Sequence, residues 1–151
     1  PNVVVDSDGC IMGRHYENRT AWVNSLRARG RKIIYDIGHI YDEYREANCR
    51  ASLGMNWSSL NDICARVFEM MAMKRVPVIN RVPDLGLVGM VEGIHYYGFS
   101  NLGEAVEKAE YALTHPEEAQ IVANNAYNKV VNDNDSWDNR VEMILKECGL
   151  V

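Results

Sequence analysis

Residues 53–79 read LGMNWSSLNDICARVFEMMAMKRVPVI, and their pattern sets the fold class. Residues 53–57 are a short apolar stretch, stopped by the polar loop Ser58-Ser59-Leu60-Asn61-Asp62. Ile63, Val67, Met70 and Met71 then recur every three to four residues, so one face of a helix packs inward. Residues 76–79 form the next strand. Pro77 places itself at that strand's beginning or on an edge, because proline cannot donate to a ladder. A strand, a helix and a second strand in this order predict a parallel pair joined by a helical crossover.

The same alternation continues in both directions. Upstream, Val3-Val4-Val5 is a β-branched run closed by Asp6-Ser7-Asp8-Gly9, which reads as a buried strand ending in a turn. Ala21, Trp22, Leu26 and Ala28 suggest a helix running to Gly30, and residues 32–35 a strand halted at Asp36-Ile37-Gly38. Ile40, Tyr41, Tyr44 and Ala47 follow at helical spacing. Downstream, a turn around Pro83 and Gly86 precedes a strand over residues 94–99. Three helices close the chain at 102–113, 116–131 and 136–145, the second opening on Pro116 with Glu117 and Glu118 behind it. Asn132-Asp133-Asn134-Asp135 reads as a polar turn before the last helix. The expectation is an α/β, Rossmann-like three-layer domain with a parallel central sheet and C-terminal helices, occupying residues 1–151 as one unit. Its site should lie at the carboxyl ends of the strands.

Composition agrees with one globular domain: 151 residues, 47% hydrophobic and 25% charged. A formal net charge of −5 offers no general attraction to polyanions, which argues against nucleic acid as a partner and requires any phosphate site to be local. Cys10, Cys49, Cys64 and Cys148 are scattered without a Cys-x-x-Cys pair, and the four histidines lie far apart. Free thiols in a reducing cytoplasm are expected, rather than a zinc site or a disulfide framework. No apolar run approaches the ~20 residues of a membrane-spanning helix, and no signal-peptide order is present at the start. The chain opens on Pro1-Asn2 without methionine, as a piece of a longer protein would.

Residues 56–69 hold the richest chemistry, since a strand end, a polar loop and a helix start meet there. Unpaired backbone N–H groups and the helix dipole favour an anion at such a place, and Ser58, Ser59 and Asn61 offer short donors beside it. A plainer reading has Ser59 or Asn61 capping the helix, and Arg66 pairing with Glu69 three residues on. Spacing leaves both open.

The core Ala65-Arg66-Val67-Phe68-Glu69-Met70-Met71-Ala72-Met73, followed by Val76-Pro77-Val78, resembles the Arg-x-Phe-Glu-x-x-Ala segment of CgeB-type GT-B glycosyltransferases. Asn80-Arg81-Val82-Pro83-Asp84-Leu85, Glu92-Gly93, Tyr96-Tyr97, residues 111–118 and Ser136-Trp137-Asp138-Asn139-Arg140-Val141 are similar to the same family, in order. The resemblance implies a two-domain transferase, of which this chain is the Rossmann-like C-terminal half. That half holds a nucleotide sugar as donor substrate, with no dedicated cofactor, and an acceptor-binding domain or subunit lies on the N-terminal side. It assigns Glu69 to the ribose hydroxyls and Arg66 to the diphosphate, where a permanent cation stabilises the departing nucleotide. Asn61 stands where retaining members often carry a second glutamate, and Lys74 where glycine is usual. Arg66 and Asn61 are thus the implied catalytic positions. Glu69, Ser58, Ser59, Asp62, Gly9 and Gly38 are the implied donor-binding ones, and no metal ligand is implied.

Two other functions fit parts of the chain. Val3-Val4-Val5-Asp6-Ser7-Asp8-Gly9 is similar to the first motif of haloacid-dehalogenase-type, Mg²⁺-dependent phosphatases, in which Asp6 would attack phosphorus and Asp8 would move the proton. The partner motifs of that chemistry do not follow. A non-catalytic nucleotide-sugar-binding or assembly module would keep the donor site without transfer.

Overall fold

A computed structural model describes residues 3–133 and 136–150. In chain order the elements are β1 (Ser7–Met12), α1 (Glu17–Arg27), β2 (Ile33–Asp36), α2 (Tyr41–Cys49), β3 (Ala51–Asn56), α3 (Ala65–Ala72), β4 (Val76–Asn80), α4 (Asp84–Leu87), β5 (Tyr97–Phe99), α5 (Leu102–Thr114), α6 (Pro116–Asn132) and α7 (Trp137–Glu147). The five strands form one parallel sheet in the order β2-β1-β3-β4-β5. The chain winds outward from β1 to β2, then returns past β1 to start β3. The switch point therefore lies between the carboxyl ends of β1 and β3, where such sheets open a crevice.

Alternation along the strands separates the two faces. Ile11, Leu53, Met55 and Val78 pack with Trp22, Val23 and Leu26 of α1 and with Ala105 and Ala109 of α5. Cys10 and Met12, which point the other way, meet Ala47 of α2, while Ile79 joins Val67, Met70 and Met71 of α3. Helix α6 closes the second face and turns its start toward the first. Trp22, Trp57 and Phe99 form an aromatic cluster with centroids 4.9–6.1 Å apart. The Trp22 indole N–H has no hydrogen-bond partner there. Gly54 lets α3 settle onto β3, since a Cβ at that position would lie 2.7 Å from the Met70 Cβ.

The first strand lies later than the sequence suggests. Val3-Val4-Val5 is not a strand, and Val4 is 79% exposed. The first strand starts at Ser7, because Cys10, Ile11 and Met12 are the residues that can bury both faces. The Asp6 and Ser7 amides donate to the Arg50 carbonyl and those of Asp8 and Gly9 to the Lys32 carbonyl, so this stretch enters the sheet instead of turning out of it. Gly9 is consequently a mid-strand residue paired with Ile33 and Leu53, and the turn beside the switch point belongs to Gly13. The strand expected over 94–99 shortens to Tyr97–Phe99. Ile94 and His95 instead donate their amides to the Val91 carbonyl in a turn.

Pro77 sits second in β4, before β5 begins to pair at Val78, so its missing N–H breaks no bond on that side. Asn132 ends α6 and Asp133 caps it, while Asn134 and Asp135 of the expected polar turn lie outside the described residues. α7 buries none of its side chains and leaves Trp137, Val141 and Ile144 exposed. Among the described residues no helix is long and apolar enough to cross a membrane.

Candidate functional site

Gly13 follows β1 with φ +119, a conformation costly for any side chain, and its amide donates to the Asp36 carbonyl at 2.8 Å. Two guanidinium groups lie over it. Arg19 occupies the inward stripe of α1 with Trp22, Val23 and Leu26 and is only 5% exposed. Its Nε donates to the Trp57 carbonyl at 2.8 Å and its Nη1 to the Arg14 carbonyl at 3.2 Å. Arg66, in the first turn of α3, donates from Nη1 to the Asn56 amide oxygen at 2.9 Å. A Cβ on Gly13 would lie 2.8 Å from Arg66 Nη2 and 3.6 Å from Arg19 Nη1.

In these bonds both cations donate to neutral oxygens. Burial, followed by repulsion from Arg66, holds the Arg19 pKa below the usual arginine value. A guanidinium stays charged at any physiological pH, so the pair concentrates positive potential beside Gly13. Just beside it, α3 starts after its N-cap residue Cys64, without a side-chain cap. The first amides of that helix therefore add to the same field.

The loop over residues 57–64 is braced from within. Asn80, at the carboxyl end of β4, accepts the Ser58 amide at 2.7 Å. Ser58 Oγ donates to Asp62 Oδ1 at 2.5 Å and accepts the amides of Leu60 and Asp62. Ser58 and Asp62 are thus engaged with each other. Ser59 and Asn61 are exposed, and Asn61 takes a left-handed φ of +57. Neither caps α3, whose start falls later than the sequence suggests.

Arg66 and Glu69 do not pair. Glu69, one turn further along α3, accepts a hydrogen bond from the Tyr44 hydroxyl at 2.7 Å. Gly38 follows β2 with φ +93 and open space beside it, next to an Asp36–His39 contact of 2.9 Å that holds the Asp36 carboxyl below its usual range. Gly9 lies away from this cluster, inside the sheet, where a Cβ would meet Met55 Sδ at 2.5 Å. Glu69 also lines a cavity of about 720 Å³ beside α3, whose walls are mainly apolar residues such as Ile63, Phe68, Val88 and Trp137.

Asp6 and Asp8 sit at the opposite end of β1. Asp6 is bound to Arg50 at 2.8 Å and Asp8 accepts the Lys32 amide at 2.7 Å, so neither faces the crevice. The phosphatase alternative needs both carboxylates at the carboxyl end of the strand, which this register denies.

Arg19, Asn56, Asn80, Gly13 and Tyr44 carry the site without having been assigned roles from sequence. For Arg19 a signal was present: an arginine at i, with Trp22, Val23 and Leu26 at i+3, i+4 and i+7, is a cation on a buried stripe.

The chain matches the Glycosyl transferase-like family over residues 6–146. It belongs to that family. No curated protein sequence matches it. Among solved structures, sucrose-phosphate synthase from Thermosynechococcus elongatus superposes with a TM-score of 0.67 at 11% identity, covering 97% of this chain and 47% of the other. TarM superposes with a TM-score of 0.66 at 12% identity, covering 97% of this chain and 36% of the other. At these identities the likeness is one of fold. The glycosyltransferase-like chain spans less than half the length of either neighbour.

Proposed function

We propose that this chain is the donor-binding half of a GT-B glycosyltransferase of the CgeB type, holding a nucleoside diphosphate sugar at the switch point of its sheet. The observation that carries the reading is the Arg19–Arg66 pair over Gly13, one buried and one half-buried cation beside an uncapped helix start. The diphosphate fills this place, bridging both guanidiniums and the first amides of α3. As the bond to the sugar breaks, negative charge grows on the phosphate, and the fixed cations stabilise it without reorganising. Glu69 accepts hydroxyls of the ribose, and the exposed Ser59–Asn61 side of the loop faces the sugar. No covalent intermediate on the protein is required.

Transfer also needs an acceptor held against the anomeric carbon, since orientation supplies a large share of the barrier reduction. A second domain or subunit therefore forms the other wall of the cleft. The test compares donor hydrolysis and sugar transfer by this chain alone with those of the full-length product of its gene. Transfer is expected only from the latter; robust transfer by residues 1–151 alone contradicts the two-wall reading, and binding without transfer in both favours a non-catalytic module.

A further inference from the structure

We propose that Tyr44 is a positioning residue for Glu69: its phenol holds one carboxylate oxygen so that the rest of the carboxylate is presented to the two ribose hydroxyls of the donor. This inference rests on the donor-site reading above and adds a residue to it. Tyr44 lies on α2 with its ring against the cluster of Cys10, Met12, Ala47 and Ala51, so its position is set by packing. Its carbonyl also accepts the Asn48 amide group at 2.8 Å, within the same helix. From this anchored ring the hydroxyl reaches across to α3 and donates to Glu69 Oε2 at 2.7 Å.

Glu69 itself is exposed. An exposed glutamate samples several rotamers and loses that freedom when it grips a ligand, an entropic cost that a pre-formed bond removes from the binding step. A carboxylate has about four acceptor positions, so one used by Tyr44 leaves enough for a vicinal diol. Burial, then the hydrogen bond to Glu69, raises the Tyr44 pKa far above the usual phenol range. The hydroxyl therefore stays protonated, and so a donor, across the neutral pH range.

A purely structural clamp between α2 and α3 would affect all ligands alike, whereas a positioning role depends on the diol. The full chain is titrated with UDP, GDP and ADP and with their 2′,3′-dideoxy counterparts, using wild type, Tyr44→Phe, Glu69→Gln and the double variant. For the ribonucleotide that binds, Tyr44→Phe is expected to weaken affinity about tenfold, with less than about a twofold change for the dideoxy form. In the Glu69→Gln background the same substitution should cost almost nothing. Tyr44→Met, which lacks the hydroxyl but keeps an apolar body, gives the same comparison if the phenylalanine variant does not fold. Equal losses for both nucleotide forms, or no loss in Tyr44→Phe while Glu69→Gln discriminates between them, overturn the positioning role alone. Absence of any binding by wild type, or indifference of both forms to Glu69→Gln, overturns the donor-site reading together with it.

Discussion

Arg19 and Arg66 reach the same glycine from helices on opposite faces of the sheet, α1 and α3, placing Nη1 and Nη2 within 3.6 and 2.8 Å of where a Gly13 side chain would begin. Like charges held this close repel, and the protein keeps them together through carbonyl and amide oxygens. An anion relieves that repulsion. Replacing either arginine, as Arg66→Ala or Arg19→Met, should lower affinity for a nucleoside diphosphate about 10- to 100-fold, the value of a charge-assisted hydrogen bond. Affinity for the unphosphorylated nucleoside should stay unchanged, and calorimetry with the paired ligands checks both.

Gly13→Ala tests the same spot by crowding. The methyl group meets Arg66 Nη2 at 2.8 Å on a backbone with φ +119. Backbone strain alone should cost about 1–3 kcal/mol in chemical denaturation. Donor affinity should fall as well, because the displaced guanidinium loses its aim.

The parallel sheet was legible because its strands and helices alternate with clear periods, and residues 53–79 place β3, α3 and β4 within a residue or two of the observed bounds. The start of the chain misled for a physical reason: three valines outweigh Cys10, Ile11 and Met12 in β propensity, but ladder register is decided by which residues bury both faces. Arg66 and Glu69 stood out through their segment. Arg19, Asn56 and Tyr44 act through contacts between elements far apart in sequence, such as the 38-residue separation between Arg19 and the Trp57 carbonyl it binds. Local patterns do not encode such meetings.

Packing of α3 on β3 depends on the bare Cα of Gly54. Gly54→Ala puts a methyl 2.7 Å from the Met70 Cβ and should destabilise by about 1–3 kcal/mol, as overpacking does. Gly86→Ala in α4, where nothing lies within 4 Å, should be neutral or stabilise by up to about 1 kcal/mol. Urea unfolding of the two variants separates them. Since α3 carries Arg66 and Glu69, Gly54→Ala should also weaken nucleotide binding.

Arg81 ties the loop after β4 to Glu92 at 2.7 Å and to Glu104 at 2.5 Å. Its guanidinium hydrogen bonds hold both carboxyls below their ordinary value of 4.5. The folded pKa values are depressed, so the contribution to stability is complete above that value and is lost as pH falls through the folded pKa values. Solvent exposure of more than a third on each side keeps the contribution small. Arg81→Met should flatten the acid limb of the stability profile below about pH 4.5 and leave the curve above pH 6 parallel to wild type. Thermal melts across pH 3 to 8 measure it.

Whether the cationic crevice holds a nucleoside diphosphate is measured most directly by titration calorimetry with UDP, GDP, ADP and their sugar conjugates. At least one of these is expected to bind one-to-one with a Kd below about 1 mM, and Arg66→Ala and Arg19→Met should each weaken it. If none binds wild type at millimolar concentration, or if binding persists undiminished in both variants, the crevice is not the donor site.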